Sequence, residues 1–273
     1  MPTQWCSSTS RGAGTPPPVR LMSHTATTTV LVLDGVDESI NFGAICAGYS
    51  HLRLPACTMS IGIRLPEVSG NFGLFGNPDG SAPIYAYTVG GIVLFAIAND
   101  HMVNTTTRRA RTQARTATDA IAPGQDAFIV LTFDGTAPAQ GAGAGDPGMP
   151  KLYVGGADAT LSVSGVSSAG SLLGSMGKEI STTYGGFLGA GAYRQIAFVE
   201  GEATPAQVAE LTTLYAAKDP DAFSDALAAI GPRTLDVPVI NTDDGSDGGS
   251  LANRGTLSDA TPVNTESADL VAA

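Results

Sequence analysis

Apolar and small or polar residues alternate along this chain in short runs, and glycine pairs separate the runs. Thr27–Leu33 is rich in β-branched residues and closes on Asp34-Gly35, a pair suited to the turn that ends a strand. Thr58–Leu65 alternates apolar with small or polar positions, the pattern of a half-buried strand. Ile84–Val89 and Ile92–Ala98 flank Gly90-Gly91, which predicts a hairpin whose two-residue turn needs positive φ. Ala127–Phe133 is a continuous apolar run ending at Asp134-Gly135. Lys151–Val154 and Ala159–Val163 flank Gly155-Gly156 as a further hairpin, and Ile196–Val199 is a late short strand. Between these runs lie two Gly/Ala/Ser/Pro-rich loops, 136–150 and 164–183. Many short strands joined by tight turns predict an all-β fold, an antiparallel β-sandwich.

Helix is expected only behind the last strand. Thr204-Pro205-Ala206-Gln207 carries an N-cap, a first-turn proline and the Gln of a capping box, a helix-start signature. Val208, Leu211 and Tyr215 follow at helical spacing, and Pro220 ends the segment. A second short helix is expected over 221–230, with Phe223, Leu227 and Ile230 on one face and Gly231-Pro232 as its stop. The ends read differently. Residues 1–26 are Ser-, Thr- and Gly-rich and contain Pro16-Pro17-Pro18, and residues 233–273 are rich in Gly, Ser and Asp. Such segments offer little to bury and predict extended arms. Three regions follow: an N-terminal arm over 1–26, a sandwich body over 27–218, and a short helix with an acidic tail over 219–273.

Composition sharpens the picture. The chain has 273 residues and a net charge of −11, with 14% of residues charged. An acidic field of that size repels nucleic acid and anionic membrane, so neither is an expected partner. No run of about 20 apolar residues offers a membrane helix, and Met1–Cys6 opens no secretory signal pattern. Ten acidic residues against Arg233 and Arg254 lie in 219–273, eight of the eleven excess negative charges. The body is nearly balanced, and in it Arg108, Arg109, Arg111 and Arg115 stand together.

In order along the chain, four phrases resemble the laminin-G-like, concanavalin A-like jelly-roll family of lectins and glucanases. They are Leu33-Asp34-Gly35-Val36-Asp37-Glu38-Ser39-Ile40, then Cys57–Pro66, then Phe128–Gly135 with Lys151–Gly156, and finally Arg194–Tyr215. The resemblance spans about residues 30–218 and implies a jelly roll with lectin-like binding. It departs from the family where chemistry would be expected. Gly62 stands where the family has an aromatic residue, and Arg194-Gln195 replace acidic residues before the last strand. The clustered carboxylates of the glycosidase branch, an acid and a nucleophile about 5–5.5 Å apart in retaining enzymes, have no counterpart motif here. Glu200 and Glu202 are a loop pair beside a helix start, so no catalytic residue and no cofactor is expected.

Other polar groups each have two readings. Asp34, Asp37 and Glu38 could hold calcium or cap a turn, and Asn241–Gly248 is either a calcium-like loop or a solvated one. Cys6, Cys46 and Cys57 read as small buried hydrophobes, although one pair could bridge. Alternation on a strand places Arg109 and Arg111 on one face and Arg108 on the other. With Arg115 they either meet an acidic partner surface or guard an edge strand. Trp5, the one tryptophan, is a candidate anchor in a neighbour's pocket. For sugar stacking the candidates are Tyr49, Tyr85, Tyr87 and Tyr184.

A lectin-like module without an export signal suggests release by lysis, and similar jelly rolls occur among bacteriophage virion proteins. The first expectation is therefore a virion structural protein, a homo-oligomeric capsid decoration or cement protein that binds the major capsid protein or its neighbours through its arms. A tail or fibre component is the variant of that reading. The alternative is a glycan-binding adhesion module with carbohydrate as its partner.

Overall fold

The computed structural model describes residues 28–33, 39–42, 55–65, 72–75, 84–89, 92–103, 106–136, 142–164, 191–240, 243, 245–246, 248–263, 265 and 270–272. One sheet runs in the order β10 (Ala157–Asp158), β9 (Lys151–Val154), β8 (Asp126–Phe133), β3 (Cys57–Arg64), β12 (Gly191–Glu200), β1 (Thr29–Leu33) and β15 (Leu270–Ala272). Strand β13 (Arg233–Pro238) also pairs with β12. A second sheet runs β11 (Ser162–Ser164), β7 (Thr106–Arg115), β6 (Ile92–Val103), β5 (Ile84–Val89) and β4 (Phe72–Phe75). A short ladder joins β14 (Thr261–Val263) to β2 (Ser39–Asn41). Every pairing is antiparallel.

Strand periodicity divides the side chains into two apolar layers. Met59, Ile61 and Ile63 of β3, Ile129, Leu131 and Phe133 of β8, and Ile196 and Phe198 of β12 pack against Leu74, Ala86, Val93, Phe95 and Ala114 of the smaller sheet. Residues of opposite parity, Phe128, Val130, Ala197 and Val199, face the helices α1 (Pro205–Ala217) and α2 (Pro220–Ile230). The order is thus small sheet, large sheet, helices. This is an antiparallel β-sandwich, with two short helices covering the outer face of its larger sheet.

The local signals act as the residue types require. Thr204 Oγ1 accepts from Gln207 N–H while Gln207 Oε1 accepts from Thr204 N–H, which satisfies two otherwise unpaired amides at the start of α1. Asp219 accepts from Ala222 N–H and caps α2. Gly135 has φ +73°, and a Cβ there would run into the backbone of Ala56, so the turn after β8 admits only glycine.

Two expectations are corrected. The return along β9 expected over 159–163 starts at Ala157 and ends at Thr160, whose hydroxyl still accepts from Leu152 N–H; from Leu161 on the chain crosses to β7 on the other sheet. Nor do the described residues of 233–273 form an extended arm. β13 lies along β12, β15 along β1, and Leu235, Val237, Val239, Leu251 and Ala260 enter the inter-sheet core. Helix α2 packs in the same apolar layer as α1, so no structural boundary falls at residue 218. The N-terminal arm, 1–26, lies outside the described residues.

Candidate functional site

Helices α1 and α2 cover a polar layer organised by a bulge in β12. Tyr193 pairs with Ile63 and Gln195 pairs with Gly62, so Arg194 is the extra residue between two consecutive partners. A bulge re-aims side chains, and here it directs Arg194 and Gln195 to the helix side together. The guanidinium of Arg194, 3% exposed, pairs with Asp126 and donates to the Tyr215 carbonyl at 3.3 Å. Its Cζ lies 4.4 Å from the centre of the Tyr215 ring, within cation–π range. Arg64 binds the other oxygen of Asp126 at 2.7 Å. Burial pushes the Tyr215 hydroxyl up to about 12, although the Arg194 charge pulls it back.

Gln195 donates at 3.0 Å to Asp236, a carboxylate with no exposure. Asp236 also accepts from Ser224 and from Arg233, so three donors, one of them a cation, compensate its burial. Ser224 has a carboxylate partner, yet it is 4% exposed and shares that partner with an arginine. No imidazole takes part among the described residues, and the arrangement is a fastening between α2 and β13 rather than a nucleophile with its base.

The departure at Gly62 has a steric cause. A Cβ on Gly62 would collide with the Tyr215 ring, which stacks on Phe128 at 4.6 Å. The aromatic expected on the strand is supplied instead by α1. The cleft beside it, lined by Arg194, Gln195, Tyr215, Lys218 and Phe223 among others, has about 220 Å³ of space including its open mouth. Much of that space is open solvent, so this cleft is no enclosed chamber of the roughly 300–1,000 Å³ that small-molecule sites have.

The smaller sheet brings other sequence candidates together. Ala86, Thr88, Val93, Phe95 and Ala114 are buried toward the core, so the alternating positions belong to the opposite, outer face. Pairing aligns two rows across that face: Tyr87–Leu94–Arg115 and Tyr85–Ala96–Gln113. Arg111, opposite Ala98, continues the arginine side, and Arg109 stands opposite Asp100. Arg108 has the other parity. Leu94 is half-buried and Arg115 is exposed. Period-two reasoning could place the arginines on one face; it could not show that Tyr85 and Tyr87 share that face, because this needs the registers of two ladders.

The remaining candidates separate. Trp5, Tyr49, Tyr184, the Asp34-Asp37-Glu38 group, Cys6 and Cys46 lie outside the described residues. Cys57 is buried in the core. Glu202 lies 3.6 Å from the Lys151 ammonium. Within Asn241–Gly248, Asp243 accepts from the amides of Ile240 and Ala252. Burial raises its carboxyl above the usual range against the pull of those two bonds, so it acts as a loop brace. Among the described residues, no three His, Cys, Asp or Glu side chains gather as metal ligands. Likewise no described helix is long and apolar enough to cross a membrane.

No protein-family model matches the chain, and no curated protein matches it in sequence. Solved structures with a similar shape include a candidate carbohydrate-binding protein from Bacteroides ovatus, at 10% identity and TM-score 0.45. That match covers 87% of this chain and 58% of the other, so this chain spans less than two thirds of that protein. A heptameric SAP-like pentraxin from Limulus polyphemus matches at 9% identity and TM-score 0.36, covering 68% of this chain and 82% of the pentraxin. The CBM40 of a Ruminococcus gnavus IT-sialidase, bound to α2,3-sialyllactose, matches at 11% identity and TM-score 0.35, covering 67% and 98%. Likenesses this loose bring no ligand and no activity to this chain.

Proposed function

We propose that the protein is a non-catalytic, lectin-like binding module that takes a carbohydrate on the outer face of its five-stranded sheet. One observation carries the reading. The paired registers put Tyr85 and Tyr87 along one side of that face, small or apolar residues in the middle, and Gln113, Arg111 and Arg115 along the other. A sugar has apolar C–H faces and a rim of hydroxyls, so it needs an aromatic floor beside hydrogen-bonding groups. A sheet holds the two sides in fixed relation.

The test is binding of the full chain to an immobilised glycan array, followed by Tyr85→Ala/Tyr87→Ala. Saturable binding is expected, weakened about tenfold or more in the variant, as for anchoring aromatic residues generally. A flat response across the array, or full binding by the double variant, refutes the reading. The capsid-decoration expectation rested on two polar arms. One of these belongs to the sandwich and the other, with Trp5, lies outside the described residues, so no observation favours that role or a capsid partner over carbohydrate.

A further inference from the structure

We propose that the cleft at the junction of α1 and α2 binds a small monocarboxylate, its head group against Arg194 and its short carbon chain against the apolar wall. The charge around Arg194 carries the argument. Its guanidinium is 3% exposed and pairs with Asp126. Arg64 holds the same carboxylate through Nε at 2.8 Å and Nη2 at 2.7 Å. Two cations thus divide one anion. The Tyr215 carbonyl that Arg194 also meets adds the C-terminal end of α1, worth about half a negative charge at most. A positive excess is left at a buried group, where an unmatched charge is costly. The donors are unmatched as well. The Nε–H of Arg194 is buried and has no acceptor within the protein, whereas buried donors in native proteins nearly always have one. Charge and hydrogen bonding therefore call for the same thing at the same residue, one further anionic acceptor.

The cleft supplies the approach. Arg194 forms part of its wall, with Leu214, Tyr215, Pro220 and Phe223 as the apolar part. Its space of about 220 Å³, open mouth included, suits a few heavy atoms and not a drug-sized molecule. Lys218 and Asp219 also line it and cancel in charge. The Asp219 carboxylate, which caps α2 at the Ala222 amide, repels a second negative charge, so a monoanion is favoured over phosphate or sulfate. A carboxylate is planar and matches the guanidinium in hydrogen-bonding geometry. The cleft lies on the helix side of the larger sheet, apart from the sugar-binding face proposed above.

The experiment titrates the full chain with acetate, propionate and butyrate, with butyramide as the neutral counterpart and inorganic phosphate as the more highly charged anion. Saturation-transfer NMR on the ligand and the rise in Tm with concentration read binding. Butyrate is expected to saturate, with affinity rising by up to about fourfold per methylene beyond acetate. Butyramide and phosphate are expected to bind about tenfold or more weakly than butyrate. Arg194→Gln removes the cation and Leu214→Trp fills the cleft; each is expected to lose about tenfold or more in affinity. Lys151→Gln, a loss of charge elsewhere on the larger sheet, is expected to bind like the parent. Should Arg194→Gln fail to fold, Leu214→Trp carries the test. Butyramide binding as well as butyrate would overturn the carboxylate assignment, and phosphate binding as well would overturn the preference for a monoanion. Carboxylate binding that survives Leu214→Trp, or no saturation by any carboxylate, would overturn the site itself, and each of these results leaves the carbohydrate reading in place.

Discussion

Gly62→Ala is a small change with a sign that the packing decides. In an open strand position, alanine in place of glycine would stabilise by about 0.5–1 kcal/mol, since glycine loses more backbone freedom on folding. Here the added Cβ meets the Tyr215 ring, with Cζ at 2.8 Å and the hydroxyl oxygen at 2.9 Å. The ring cannot slide away easily. Phe128 stacks on it at 4.6 Å, the Arg194 guanidinium lies 4.4 Å from its centre, and the residue is 8% exposed. Overpacking of this kind costs about 1–3 kcal/mol, so a net loss of about 1–2 kcal/mol is expected.

Removing the obstacle should reverse the effect. Tyr215→Ala alone empties the site and should cost about 3–5 kcal/mol, as large aromatic truncations do. Adding Gly62→Ala in that background should be neutral or stabilising, giving a coupling of about 2 kcal/mol between residues in direct contact. Urea unfolding followed by far-UV circular dichroism measures all four corners of the cycle, provided the m-values agree. If Gly62→Ala costs the same with and without the Tyr215 ring, the ring is not what excludes a side chain at residue 62. The account of the missing strand aromatic would then fail.

Two further outcomes follow from buried groups. Tyr215 ionises at about 12 in the folded protein against an ordinary value of 10.0. The unfolded chain therefore loses this proton first, and stability falls as pH rises from about 10 to 12, by about 1.4 kcal/mol per pH unit for each such group. Tyr193, also raised by burial, adds its own loss; Tyr215→Phe should remove one share, and an unchanged slope in that variant would refute the assignment. Deleting residues 233–273 should abolish cooperative unfolding, because it strips β13 from β12 and opens the core at Leu235, Val237 and Val239. A soluble truncated chain with a sharp unfolding transition would contradict the place given to these residues.

Local chemistry was readable from the sequence wherever one residue type does one job. The Thr204–Gln207 capping box forms as its spacing requires. The hairpin across Gly90-Gly91 pairs Val89 with Ile92, and Gly155 and Gly156 both adopt the positive φ that their turn demands. Features that depend on distant partners were not readable. The bulge at Arg194 exists only relative to β3. The reason for Gly62 lies 153 positions along the chain at Tyr215, and no local pattern connects them. The hairpin expected to run through residue 163 is cut short after Thr160 for the same kind of reason: Leu161 N–H bonds to the Arg115 carbonyl on the other sheet, a competitor that strand spacing alone does not reveal.

The acidic C-terminal region shows how composition can point away from structure. Gly, Ser and Asp in quantity suggest a chain unable to bury enough apolar surface to fold. Yet Leu235, Val237 and Val239 alternate as a strand should, and all three are buried. The aspartates around them are acceptors for backbone and side-chain donors in irregular segments. Asp236 takes Gln195, Ser224 and Arg233; Asp243 takes two amides; Asp259 takes Ser250 and the Asn253 amide; Asp221 pairs with Arg254 at 2.8 Å. Loops without regular ladders still need partners for their buried N–H groups, and aspartate on a short stem supplies them. The same residues that read as a solvated tail are therefore part of what lets the segment close the sandwich. That closure commits these residues to the protein's own sandwich rather than to a neighbouring molecule.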